Sequence, residues 1–269
     1  MCQLFAISTS SPTRLNFCWE RFTERGSAQL GNPDGWGVCY YQDNDVNIYR
    51  EPSPAANSPL VGFLLKQSSQ SQMVISHVRR SSQGDVCLKN TQPFCRTLAG
   101  KEHTFAHNGF VGNAGQTDLA SNWLAPVGDT DSERLFCMLL ARLEPVWKGS
   151  EIPPLNVRTK IIQQFSDEIR PYGAANFIYS DSATLFAHAH RHTVEGDAVS
   201  TEPGLYVLSL SDCYETGSKL TAAEENEAGV SVVGNCLAQT LIATRPLDNR
   251  DWRPMREAEL LCIENGVLV

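Results

Sequence analysis

Residues 1–8 read MCQLFAIS, a cysteine in second place followed at once by an apolar run. The stretch QLFAIS reads as a buried strand. Removal of Met1 would make Cys2 the terminal residue, carrying both a thiol and a free α-amine. Most cysteines, however, are small buried hydrophobes, and the plain reading of Cys2 is the first residue of a central strand. A reactive thiol needs a particular environment, so the choice depends on what the rest of the chain supplies.

At 269 residues and 42% hydrophobic content, the chain can bury a full core. That length allows one large domain or two ordinary ones. The formal net charge is −8, and Lys and Arg never run beyond two in a row. This argues against nucleic acid or an anionic membrane surface as a partner. Nine cysteines, with no Cys-x-x-Cys pair, fit a reducing compartment better than a disulfide framework or a zinc ribbon. No basic segment leads into a long apolar core at the N-terminus, and no apolar stretch reaches the roughly 18 residues of a bilayer span. The expectation is a cytoplasmic protein without a signal peptide.

The elements read as strands toward both ends with helices between. RLNFCWERFTERGS (Arg14–Ser27) follows Pro12 and Thr13 and spaces Leu15, Cys18, Trp19 and Phe22 as a helix would. DGWGVCYYQDNDVNIYRE (Asp34–Glu51) reads as a hairpin around an Asp/Asn turn. The loop EPSPAANSPL then leads into a helix at LVGFLLKQ, and SQMVISHVRR and HTFAHNGFV read as strands. DTDSERLFCMLLARLEP predicts a helix capped by Asp131 or Ser132, with Leu135, Leu139 and Leu143 on one face. LNVRTKIIQQFSDEIRPY predicts another, ending at Pro171. AANFIYS, TLFAHAHRH, GLYVLSL and TLIATRPL supply the later strands, and KLTAAEENEAG a solvated loop or short helix. This order suggests two sheets packed face to face between helical layers.

Four further segments bear on Cys2. In NPDGWGV (Asn32–Val38) two glycines permit a tight turn and close backbone approach at a strand entry. SHVRRSS (Ser76–Ser82) ends a strand with two arginines. Neighbours on a strand point to opposite faces, so one of Arg79 and Arg80 can face a cleft as a two-pronged carboxylate clamp. AHNGF (Ala106–Phe110) is a turn by default, but it can also offer the Asn108 amide and the Gly109 N–H as the donor pair an oxyanion needs. GDTDSE (Gly128–Glu133) sets acids at a helix start, either as caps or as carboxylates that bind a cation.

With these motifs in this order, the chain resembles the class II glutamine amidotransferases. The resemblance rests on MC, NPDGWG, HVRR, NTQPF, HNG and GDTDSE, and continues more loosely to IATRPLDNRDWRPM (Ile242–Met255). The last stretch looks like a single-domain subfamily that includes hydrolases of γ-glutamyl compounds. The resemblance implies an N-terminal-nucleophile hydrolase fold: α+β, a four-layer αββα sandwich of two mainly antiparallel sheets. It further implies one domain over residues 2–269, with core motifs at 2–133 and strands at 174–269 completing the sandwich. Carried over by position, Cys2 would be the nucleophile and Asn108 with Gly109 the oxyanion hole. Arg79 would bind the substrate α-carboxylate and Asp131 its α-ammonium. Two positions depart from the family pattern. Gly31, Asn32 and Pro33 stand where many members have a basic residue, and Gln92 stands where His is common.

The residues support the same chemistry without the family. A cysteine thiolate is intrinsically very nucleophilic, and a terminal α-amine, with a pKa of about 7.7–8.0, suits a base working near neutrality. The expected activity is hydrolysis of the side-chain amide of glutamine or a γ-glutamyl compound through a Cys2 thioester. Alternatives are a glutaminase subunit that passes ammonia to, or deglutamylates a substrate of, a partner enzyme, and a silent amino-acid-binding protein that keeps Met1. A cysteine protease of another fold is less favoured, because His77, His103 and His107 show no evident orienting partner in the sequence. No cofactor is implied. His188, His190 and His192 would share a face of one strand, but three ligands in line close poorly around one ion, so a polar sheet edge and no metal are expected. Whether the chain forms a homodimer or serves an ammonia-accepting partner is not written in the sequence.

Overall fold

The computed structural model describes residues 2–17, 33–43, 45–67, 70–81, 84–112, 124–149, 151–193, 199–211, 230–233 and 238–269. Strand β1 (Gln3–Phe17) starts directly after Cys2. Leu4, Phe5, Ala6 and Ile7 alternate between its two faces and all are buried, so both faces of the strand are covered. The strand is also longer than expected. Arg14–Phe17 continue it, where the spacing of Leu15 predicts a helix, because β12 (Val230–Val233) pairs with that stretch. A ladder partner close in space outweighs a local periodicity. The remainder of that predicted helix lies outside the described residues, as does KLTAAEENEAG.

One eight-stranded sheet runs in the order β14 (Arg253–Pro254), β11 (Tyr206–Ser211), β13 (Ala238–Ala243), β1, β4 (Gln70–Val78), β2 (Trp36–Gln42), β3 (Asp45–Glu51), with β12 added beside β1. A six-stranded sheet runs β16 (Val267–Leu268), β15 (Leu260–Glu264), β8 (Leu185–His188), β7 (Asn176–Ser180), β6 (Lys101–Asn108), β5 (Phe94–Leu98). β9 (Arg191–Thr193) and β10 (Val199–Pro203) form a separate pair. Neighbouring strands in both sheets are antiparallel.

Three apolar clusters define the layers. Phe5, Ile7, Val74 and Val78 pack outward with Val61 and Leu64 of α1 (Pro59–Lys66). Leu4, Ala6, Cys39 and Ile75 pack inward against Ala106, Ile178, Leu185 and Ala187 of the other sheet. Phe105, Phe177 and Phe186 pack on that sheet's far face with Leu135, Phe136 and Leu139 of α2 (Asp131–Leu143) and Ile162 and Phe165 of α3 (Leu155–Ile169). The result is the four-layer αββα sandwich. Alternation then assigns the positions that matter. Continuing the inward series Leu4, Ile75 and Ala106 by two residues, toward one end of the sheets, leads to Cys2, His77 and Asn108, and two further along the same stretch to Arg79. No helix among the described residues is long and apolar enough to cross a membrane.

Candidate active site

The first residues of β1 are fixed from both flanks. Gln3 pairs with Val78 of β4, while the Thr244 hydroxyl accepts the Leu4 N–H at 2.8 Å and the Thr244 N–H donates to the Leu4 carbonyl at 3.0 Å. Thr244 belongs to IATRP, so the C-terminal motif braces the strand that carries Cys2. Cys2 itself is half-buried. Its sulfur accepts from the Arg80 N–H and donates to the Arg80 carbonyl, both at 3.2 Å. On the facing sheet, Asn108 Nδ2 donates to the Cys2 carbonyl at 2.8 Å. That bond crosses between the two sheets.

Of the two arginines, Arg79 is 3% exposed and Arg80 is exposed. The division follows strand alternation. Arg79 Nη1 donates to the Asp85 carbonyl at 3.0 Å, and Nη2 to Ser81 Oγ at 3.1 Å and the Gly84 carbonyl at 3.2 Å. The turn at Asp34–Gly35 holds the strand end that bears them. The Arg79 N–H donates to the Gly35 carbonyl at 2.8 Å, and the Ser81 N–H to Asp34 Oδ2 at 2.7 Å. Gly35 has φ +132, a left-handed conformation open to glycine. Gly109 has φ +154, and a Cβ there would overlap the Ala174 carbonyl.

Asp131 opens α2 and accepts the Val111 N–H on Oδ2 at 2.8 Å. Because its carboxylate turns to Val111 and Ser132 Oγ lies 2.9 Å from His107 Nδ1, neither residue caps the helix as the sequence predicts. Thr130 does, accepting the Glu133 N–H at 3.3 Å. Burial pushes the Cys2 thiol above its ordinary pKa. The hydrogen bond from the Arg80 backbone and the Arg79 guanidinium oppose this, and the Asp131 carboxylate adds to it. One sulfur therefore feels both charges, and the structure gathers Cys2, Arg79, Asn108, Gly109 and Asp131 at one end of the sandwich.

Several supporting residues carry no chemistry that sequence reading assigns. Asn90 and Gln92 of NTQPF are both buried. The Gln92 side-chain carbonyl accepts the His107 N–H at 2.6 Å, next to Asn108. Glu133 accepts the N–H groups of Val127 and Gly128 and pairs with Arg96. His107 and His103 do have partners, contrary to the sequence reading. His107 sits between Ser132 and the Ala174 carbonyl, and His103 Nδ1 lies 2.6 Å from the Tyr179 hydroxyl.

The HAHRH stretch is not the polar sheet edge the sequence predicts. His188 lies in β8 between β7 and β15, buried, with Nδ1 2.8 Å from the Ala175 carbonyl. The strand breaks after it, and His190 is buried beside Glu257, at 3.3 Å. The side chain of His192 lies outside the described residues. Among the described residues no group of three or more His, Cys, Asp or Glu could hold a metal ion.

Fold and site together define an N-terminal-nucleophile-type sandwich with a cysteine at one end of its inter-sheet layer. The chain matches the model for Glutamine amidotransferases class-II over residues 1–269, and it belongs to that family. It is 29% identical over 273 residues to YafJ of Escherichia coli strain K12, with all of both chains covered. A 2.0 Å crystal structure of a predicted glutamine amidotransferase from Pseudomonas aeruginosa PA01 superposes with a TM-score of 0.69 at 26% identity, covering 100% of this chain and 99% of that one. The glutamine phosphoribosylpyrophosphate amidotransferase of Bacillus subtilis gives a TM-score of 0.56 at 14% identity, over 100% of this chain and 48% of its own, a likeness of fold alone.

Proposed function

We propose that this class II glutamine amidotransferase is an amidohydrolase that cleaves the side-chain amide of glutamine or a γ-glutamyl compound, with Cys2 as the N-terminal nucleophile once Met1 is removed. The observation that carries the reading is the 2.8 Å bond from Asn108 Nδ2 to the Cys2 carbonyl, made where the charges of Arg79 and Asp131 both reach the sulfur. In this mechanism the Cys2 thiol passes its proton to its own α-amine as sulfur attacks the carboxamide carbon. The second N–H of the Asn108 amide and the Gly109 N–H hold the oxyanion. Collapse breaks the C–N bond, and the leaving ammonia or amine takes the proton back from the α-ammonium. Water then adds to the γ-glutamyl thioester, giving up a proton to the α-amine. Departure of the reprotonated thiol frees glutamate. Arg79 reads the α-carboxylate and Asp131 the α-ammonium, so that γ-glutamyl groups are chosen over plain amides. A reducing cytoplasm keeps the sulfur as a thiol.

The test is release of glutamate and ammonia from a panel of γ-glutamyl amides, run beside Cys2→Ser with the intact mass of each protein recorded. Turnover by the Met1-free chain and none by the serine variant is expected. No turnover of any panel member by the Met1-free chain, or equal turnover by both proteins, overturns the reading.

A further inference from the structure

Two loops flank the candidate site, and one side chain joins them. The first, after Arg80, presents the Gly84 and Asp85 carbonyls to the Arg79 guanidinium. The second runs through Gly128 and Asp129 into the first turn of α2, where Asp131 lies. Asn90 is fully buried between the two. Its Nδ2 donates to the Asp85 carbonyl at 3.0 Å, the same oxygen that receives Arg79 Nη1. Its Oδ1 accepts the Asp129 N–H at 2.9 Å. Both loops carry glycine where they meet this amide. A Cβ on Gly84 would lie 2.9 Å from Asn90 Nδ2, and one on Gly128 would overlap Asn90 Oδ1. The Lys89–Asp129 pair joins the same loops at 2.7 Å, but in solvent, where ion pairs contribute little.

A primary amide on a short stem offers a donor to one loop and an acceptor to the other. Aspartate lacks the donor, and glutamine is one methylene too long for the space the glycines leave. We infer that Asn90 is a positioning residue that fixes the span between the Arg79 guanidinium and the Asp131 carboxylate, and so sets selectivity for a substrate carrying both an α-carboxylate and an α-ammonium. The inference rests on the glutaminase reading above. Glu133 anchors the Asp131 loop from its other side through the Val127 and Gly128 N–H groups, so a change at Asn90 moves the two loops relative to each other and leaves α2 in place.

The test uses Asn90→Asp, which removes the bond to the Arg79 loop, and Gly128→Ala, which pushes on the Asp131 loop, each with its thermal melt. Three compounds are compared: glutamine, glutaramate (no α-ammonium) and 4-aminobutanamide (no α-carboxylate), the last two as competitive inhibitors or, where they turn over, as substrates. Glutamine should lose about tenfold in kcat/KM through KM, the scale of one buried hydrogen bond. Each one-handed analogue touches only one of the two groups and does not sense their span, so its constant should stay within about twofold. A proportional loss for all three compounds, a loss in kcat alone, or no loss in either folded variant overturns the inference. If the Met1-free wild type turns over neither glutamine nor any member of the γ-glutamyl panel, the glutaminase reading has failed and takes the inference with it; if it turns over any of them, that compound stands in for glutamine in the comparison and a failure belongs to Asn90 alone.

Discussion

Asn108→Ala tests two functions of one amide. The side chain is 3% exposed, and its nitrogen carries two N–H groups, one of them committed to the Cys2 carbonyl at 2.8 Å. In the proposed mechanism the other serves the oxyanion formed on the carbon that Cys2 attacks. Removing a donor of that kind costs about 2.7–4 kcal/mol of transition-state stabilisation, or 10²–10³ in kcat. Losing the anchor on the Cys2 carbonyl adds about 1–3 kcal/mol to the cost of folding, and each kcal/mol lowers Tm by about 2–4 °C in a chain of this size. In the proposed roles Arg79 and Asp131, not this amide, hold the substrate's amino-acid end, so KM should move by less than about threefold. Asn108→Asp should be worse than alanine, since it sets a carboxylate against the same carbonyl and the developing negative charge. Steady-state release of glutamate from glutamine, with a parallel thermal melt, gives all three numbers. A variant with near-normal kcat and raised KM would refute the reasoning, because it would place Asn108 on the substrate's amino-acid end.

Two further outcomes follow from the backbone and the core. Gly109→Ala cannot keep φ +154 with its Cβ clear of the Ala174 carbonyl, so it should lose about 1–3 kcal/mol of stability together with most of kcat; equal melts for variant and parent would show that the close approach is dispensable. Burial holds His103 down at about pKa 3, with the Arg158 charge adding to this. The unfolded chain then binds more protons than the native one as pH falls below the imidazole's ordinary range, and stability drops. Between pH 6.5 and 5 this imidazole alone should remove about 1.6 kcal/mol. Urea titrations at the two pH values should show that slope reduced in His103→Phe, and an unchanged slope would refute the assignment.

How much of this was legible in the sequence depends on the distance over which each residue acts. The sandwich was legible because β1, β2 and β4 carry local strand patterns and α2 a local apolar face. The strand at Phe94–Leu98 was missed. Among the described residues it lies at a sheet edge and pairs with β6 alone, and it alternates weakly. Arg14–Phe17 were misread because a helical spacing was visible and the partner strand, more than 200 positions along, was not. In the site, the turn glycines and the paired arginines announce themselves by what they do to their own backbone. Asn90 and Arg96 do not, because their partners Asp129 and Glu133 lie 39 and 37 positions away. The HAHRH histidines misled for the opposite reason. Their spacing suggested a shared face, but β8 ends at His188 and the pattern stops describing a strand there.

The choice of base can also be argued from what surrounds Cys2. Burial raises the Cys2 thiol, so in the proposed attack it needs a base close by. The nearest imidazole on its own sheet is His77, two residues before Arg79 on β4. Burial, with the charges of Arg79 and His107 adding to it, pulls His77 down to about pKa 3. Neither of its ring nitrogens has a hydrogen-bond partner among the described residues. A group that weakly basic takes no proton from a thiol. His107 is also lowered by burial, and its two nitrogens already face Ser132 Oγ and the Ala174 carbonyl. The α-amine of Cys2 is left as the group whose ordinary pKa, about 7.7–8.0, fits the work. Then kcat/KM should rise with pH through an amine-like pKa, and His77→Gln should keep both that limb and kcat to within about threefold. A chain with an extra residue ahead of Cys2 should lose activity at every pH. Should the extended chain stay active while His77→Gln loses the limb, the base is an imidazole and the terminal amine has no part in the chemistry.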